Sequence, residues 1–244
     1  MKIIIMTLFP EMIEEAIKHS IIGRAIKNNL VQIEAVDFRK YSGNKHNQVD
    51  DYPYGGGAGM LIKAKPVVDC YRDICQNLKD KKPRVLYMSP AGRTWKQEMA
   101  VEFSKEQELI VLCGHYEGID QRAINEIVTD EISIGDFVLT GGELAALIIS
   151  DSIIRLIPNV LGKEESFENE SFSEGLLEHD HYTRPQNFEG KEVPEVLLSG
   201  NHKNIEKFRR ENSLLNTFKK RPDLLKKAIL DEKDKVFLKK YNFF

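Results

Sequence analysis

Three apolar runs, Val85-Leu-Tyr-Met88, Leu109-Ile-Val-Leu-Cys113 and Ile132-Ser-Ile134, each end in a glycine-bearing turn. The turns are Pro90-Ala-Gly92, Gly114-His-Tyr-Glu-Gly118 and Gly135, the last followed by Thr140-Gly-Gly142. In open α/β sheets ligands bind beyond the carboxyl ends of strands, and a turn without a Cβ exposes main-chain N–H and C=O groups to them. Three such ends, so close along the chain, predict one shared pocket made largely of main chain. Any one of these glycines is equally an ordinary turn residue; their repetition carries the inference.

The familiar nucleotide motifs are absent. Gly55-Gly-Gly-Ala-Gly59 continues into Met60-Leu-Ile-Lys63 without the Gly-Lys-Ser/Thr ending of a P-loop, and no Gly-x-Gly-x-x-Gly opens a helix after a strand. An ordinary ATPase or NAD enzyme is therefore not expected.

Strand-like runs at Lys2–Leu8, Val31–Val36, Val85–Met88, Leu109–Cys113 and Glu131–Ile134 alternate with helical patterns at Glu11–Asn28, Pro66–Leu78, Gln97–Ser104 and Glu143–Leu156. That alternation predicts an α/β domain with a mainly parallel sheet. After Pro158 the character changes: Gly162–Glu195 carries 10 acidic residues against 3 basic ones with little apolar periodicity, which reads as a linker. Short helical segments follow at Glu195–Ser199, Ile205–Glu211, Pro222–Leu230 and Lys233–Lys240, predicting a smaller α-helical C-terminal domain. The expected division is 1–161, an acidic flexible linker at 162–178, and 179–244.

With 244 residues, 41% of them hydrophobic, the chain can bury a substantial core. Acidic residues follow the opening apolar run without a small-residue cleavage pattern, and no apolar run approaches the ~20 residues that span a bilayer. The three cysteines, Cys70, Cys75 and Cys113, are odd in number and form no Cys-x-x-Cys pair, so the expectation is a reduced, cytoplasmic protein without a membrane partner. Net charge is −3, yet residues 201–244 carry 13 Lys/Arg against 6 Asp/Glu, a net of +7, and residues 1–200 carry −10. A basic segment on an acidic chain suits a polyanion held by one region, although a solvated helix face rich in lysine has the same composition.

Several motifs bear a resemblance when taken in order: Leu8-Phe-Pro-Glu11, Tyr54-Gly-Gly-Gly-Ala-Gly-Met60, Ser89-Pro-Ala-Gly92, Gly114-His-Tyr-Glu-Gly-Ile-Asp120, Ser133-Ile-Gly-Asp-Phe-Val-Leu-Thr-Gly-Gly-Glu143, His181-Tyr-Thr-Arg-Pro185 and Leu197-Leu-Ser-Gly-Asn-His202. Together they resemble the bacterial tRNA (guanine-N1)-methyltransferases, of the knotted SPOUT type, over nearly the whole chain. The resemblance implies methylation of N1 of the guanosine immediately 3′ of the anticodon, with S-adenosyl-L-methionine as cofactor and tRNA as partner. It also implies a deep trefoil knot forming the cofactor site, a homodimer with composite active sites, and Mg²⁺ dependence with no ligand set legible in the spacing.

By the same resemblance the cofactor pocket comprises Tyr87, Ser89, Pro90, Gly92, Gly114, Tyr116, Glu117, Ile134, Gly135, Asp136, Phe137, Val138, Leu139, Gly141 and Gly142. Phe137 and Ala145 depart from the family pattern, where tyrosine and proline are frequent, and both can serve as apolar walls. Gly59, Arg155 and Ser171 are implied substrate-binding residues.

Guanine N1 carries a proton, so a general base must remove it and a cation near O6 should hold the charge that develops. The resemblance gives the cation role to Arg155 and the base role to Glu170, where the family typically has aspartate. The extra methylene displaces the carboxylate by up to ~1.5 Å unless the backbone retreats. Glu168, Glu178 and Asp180 are neighbouring alternatives for the base, and Glu117, Glu170 and Glu178 are oxygen ligands of the kind Mg²⁺ prefers. His179-Asp-His181, lacking nearby cysteines, reads as a polar loop, so no metal site is assigned. Two other functions compete: a knotted ribose 2′-O-methyltransferase, and a catalytically silent RNA-binding protein made conceivable by glutamate at position 170.

Overall fold

The computed structural model describes residues 1–80, 82–162, 170–172 and 174–241, so Glu168 lies outside the described residues. The chain divides into two compact units, Met1–Gly162 and Lys163–Phe244. The first runs β1 (Lys2–Thr7), α1 (Pro10–Ala16), α2 (Ser20–Lys27), β2 (Gln32–Asp37), a 3-10 turn (Phe38–Tyr41), β3 (Asp50–Asp51), β4 (Leu61–Ile62) and α3 (Ala64–Asn77). It continues with β5 (Arg84–Thr94), α4 (Gln97–Phe103), β6 (Glu108–Cys113), α5 (Gln121–Ile127), β7 (Asp130–Ser133) and α6 (Glu143–Ile154).

Five strands pair in the order β2-β1-β6-β5-β7, all parallel, which is the α/β sheet expected from the sequence. The strands are apolar on both faces because both are covered. Ile3, Ile5, Leu86, Met88, Leu109 and Val111 pack on one side with Ile13, Ala25, Phe103 and Ile149 of α1, α2, α4 and α6. Ile4, Met6, Val85, Tyr87, Ile110 and Leu112 pack on the other with Val67 and Ile74 of α3 and Ile124 of α5. Crossovers that step one way along the sheet thus share a face, as parallel connections of a single hand require.

Two elements differ from expectation for local reasons. The helical pattern at Glu11–Asn28 is two helices, broken by extended His19 and by Ser20 at φ 58°. Gly23 lets α2 cross close to the end of α1, since a Cβ there would lie 2.3 Å from the Lys18 carbonyl oxygen. The strand beginning at Arg84 does not stop at its glycine turn. Met88 and Arg93 both lie opposite Ile132, so Ser89–Gly92 bulges out between two paired stretches.

An ion network fastens β5 to β7. Arg84 donates to both carboxylate oxygens of nearly buried Asp130 at 2.9 and 2.8 Å, Arg93 adds a contact at 3.0 Å, and the Thr129 hydroxyl donates at 2.7 Å.

The second unit contains a hairpin of β8 (Asn187–Phe188) and β9 (Lys191–Glu192), then α7 (Glu195–Leu198), α8 (His202–Lys220), α9 (Pro222–Leu225) and α10 (Glu232–Lys239). Leu176, Leu214, Leu225 and Leu238 form its core. Helix α8 is far longer than the pattern at Ile205–Glu211 suggests, because Asn212, Ser213, Asn216 and Thr217 break the apolar period. Those polar side chains face a strand of protein backbone instead. Thr217 accepts from Leu177 N–H at 2.9 Å, Asn212 accepts from Asp180 N–H at 2.6 Å, Asn216 donates to the Glu178 carbonyl at 3.3 Å, and the Ser213 hydroxyl donates to the Leu177 carbonyl. The C-terminal part of the stretch that reads as linker is therefore packed on α8.

Candidate active site

The carboxyl ends of β5, β6 and β7 open onto a cavity of about 320 Å³, at the lower end of the range for small-molecule sites. All three glycine turns line it. The bulge of β5 supplies Ser89 and Pro90, the turn after β6 supplies Gly114, Tyr116 and Glu117, and the segment after β7 supplies Ile134, Gly135, Phe137, Val138, Leu139, Gly141 and Gly142. Tyr87 forms the floor, and burial pushes its hydroxyl pKa up, so it stays a neutral phenol at neutral pH. Gly92 and Asp136 fall outside the lining. Gly92 abuts β7, where a Cβ would meet the Ile132 nitrogen at 2.3 Å, and Asp136 is exposed.

The segment after β7 doubles back over the end of β6. Gly142 N–H donates to the Gly114 carbonyl at 2.9 Å, and His115 pairs with Gly141 as an antiparallel bridge. A Cβ on Gly142 would sit 2.8 Å from Cys113 Cα, so only glycine permits this approach. Burial raises the Cys113 thiol pKa well above its usual value, which removes it as a nucleophile.

A second loop packs against one of these turns. Glu117 N–H donates to the Met60 carbonyl at 3.0 Å, and Ile62 N–H to the Gly118 carbonyl at 2.9 Å. These bonds seat the Tyr54–Met60 turn on the Gly114–Asp120 turn. Gly59, at φ 84°, touches Glu117, and a Cβ there would lie 2.4 Å from Glu117 Cγ.

Behind the cavity lies a cluster to which the sequence pattern assigns no role. Buried Glu143, in the first turn of α6, accepts from the Thr7 hydroxyl at 2.7 Å, and the Thr7 oxygen also accepts from Phe9 N–H. The His115 ring lies tilted beside Phe9, centroids 5.2 Å apart, and keeps a buried Nδ1 without a hydrogen-bond partner. His115 and Glu143 stand inside two of the glycine-bearing motifs, which is the signal that could have found them; Thr7 has none.

Arg155 caps the far end of α6 from Gly142, its N–H donating to the Asp151 carbonyl at 3.1 Å. At 1.5 Å rise per residue, it stands ~15 Å along the helix from Ala145, which lines the cavity. Glu170 and Ser171 belong to the second unit, where the Ser171 hydroxyl accepts from Glu178 N–H at 3.0 Å. Further along, one donor atom from each of Glu178, His179 and His181 lies within 4.8 Å of the others.

Among the described residues lining the cavity, Glu117 is the carboxylate and there is no lysine or arginine. Apolar walls, exposed glycine main chain and no fixed cation suit a ligand carrying positive charge with hydrogen-bonding edges. Fold and cavity define an α/β protein with a small-molecule site at the carboxyl ends of parallel strands.

Residues 1–227 match the family described as tRNA (Guanine-1)-methyltransferase TrmD. Curated relatives named tRNA (guanine-N(1)-)-methyltransferase include that of Lachnospira eligens, 57% identical over 94% of this chain and 97% of the relative. That of Alkaliphilus oremlandii is 55% identical over 96% of both, and that of Listeria welshimeri 52% identical over 99% of both. The chain belongs to the tRNA (guanine-N1)-methyltransferase family, and it is a methyltransferase. No described helix is long and apolar enough to cross a membrane.

Proposed function

We propose that the protein transfers the methyl group of S-adenosylmethionine to N1 of the guanosine immediately 3′ of the anticodon in tRNA. The observation that carries this is the convergence of three glycine turns on one cavity, with Gly59 packed against cavity-lining Glu117, in a chain matched along its length by that family. A bound sulfonium supplies an electrophilic methyl. The residues fit it: glycine main chain for the adenosine edges, apolar Leu139 and Val138, and no competing cation. The doubling back of Gly135–Gly142 over β6 supports a knotted path.

Guanine N1 becomes nucleophilic only when its proton leaves, and Glu170 is the carboxylate we assign to take it. Arg155 would hold the negative charge on O6. The ~15 Å rise of helix between cavity-lining Ala145 and Arg155 supports assigning Arg155 to the cavity of a second copy. Helices α1 and α6 support such a homodimer, leaving Met12, Leu144 and Ile148 exposed at 41%, 49% and 52%. The basic residues 201–244 are assigned to the tRNA phosphates.

The cluster with ligand spacing offers two imidazoles, whereas Mg²⁺ prefers oxygen and retains water.

Nuclease digestion and mass spectrometry of tRNA after turnover tests the assignment. The expected product is 1-methylguanosine; a methyl on ribose would replace it with a 2′-hydroxyl reaction, and no turnover would leave only RNA binding.

A further inference from the structure

We propose that Glu178, His179 and His181 form a binding site for a divalent transition ion of the zinc or cobalt type. His181 Nε2 lies 3.0 Å from Glu178 Oε1, the two imidazole rings are 4.5 Å apart, and the three donor atoms fall within 4.8 Å of one another. Adjacent donors in a tetrahedral zinc site sit about 3.3 Å apart, given bonds of ~2.0–2.1 Å. Small side-chain rotations close the difference. An ion between Glu178 and His181 would bridge these two donor atoms.

Two features outside the three ligands favour this over a polar loop. His179 Nδ1 lies 3.0 Å from the Asp180 carbonyl, and a carbonyl can only accept, so Nδ1 carries the proton and Nε2 keeps its lone pair. Metal-ligating histidines are commonly oriented by such a bond from the other ring nitrogen. The backbone between the ligands is also held in place. The Asp180 carboxylate accepts from Asn212 at 3.1 Å and Asn216 at 2.9 Å. Two imidazoles and one carboxylate, with a position left for water, match zinc or cobalt and not magnesium.

Cobalt titration of the full-length protein, without cofactor or tRNA, tests this through the visible absorption of bound Co²⁺. One Co²⁺ per chain is expected, displaced by Zn²⁺ and not by excess Mg²⁺. His179→Gln and His181→Gln should each weaken binding by more than about tenfold, while His46→Gln, on an exposed loop, should not. Circular dichroism checks that the variants fold, and Glu178→Gln provides a third ligand change should one histidine variant fail to fold. Wild-type affinity in the folded ligand variants, displacement by Mg²⁺ at comparable concentration, or no cobalt spectrum would each overturn the proposal. None of those outcomes bears on the methyltransferase assignment.

Discussion

Glu170→Gln keeps the side chain's size and removes its basicity, so it isolates the proposed proton transfer. The methyl-transfer step should slow by about 10²-fold or more in single-turnover kinetics, with cofactor affinity nearly unchanged. A dead Glu178→Gln beside a near-normal Glu170→Gln would move the base. Gly142→Ala makes the complementary change. Its Cβ would press on Cys113 Cα at 2.8 Å, backbone against backbone, and relieving the overlap costs about 1–3 kcal/mol. Calorimetry should show cofactor binding roughly tenfold or more weaker. Most lining residues are legible in the sequence because a glycine turn directly after an apolar run marks the carboxyl end of a buried strand, where ligands of parallel sheets bind. Gly92 follows such a run too, and the space of its missing Cβ is taken by the backbone of β7. Thr7 and Glu143 meet across 136 residues of sequence, a pairing that no local pattern can announce.

At the scale of elements, β5 and β7 depend on the Arg84–Asp130 pair. Burial pushes the Asp130 carboxyl pKa up, but Arg84, Thr129 and Arg93 together outweigh it and hold the group below the usual range. A lowered carboxylate pKa gives stability that is whole above about pH 4 and lost as pH falls through the folded value. Denaturant unfolding should therefore show Asp130→Asn less stable by about 3 kcal/mol at pH 7, with part of the acid-side slope below pH 4 removed. An unchanged acid slope would assign that loss to other carboxylates. The strands are readable from apolar runs because both sheet faces are covered. Helix α8 is not, since its polar residues bond to segment 177–180, and a hydrogen-bonded interface has no hydrophobic period.

At the scale of the whole molecule, the proposed homodimer makes the chemistry a property of two chains. Equal amounts of inactive Glu170→Gln and inactive Gly135→Trp, allowed to exchange subunits, should recover about a quarter of wild-type activity, because half the dimers would carry one intact site. Folded, exchanging variants that recover nothing would place base and cofactor in one chain. The central claim is the identity of the methylated base, and transfer from labelled S-adenosylmethionine to two unmodified tRNA transcripts tests it most directly. The transcripts differ only in carrying guanosine or adenosine immediately 3′ of the anticodon. The account predicts that the guanosine transcript is labelled and the adenosine transcript is not; equal labelling of both would contradict it.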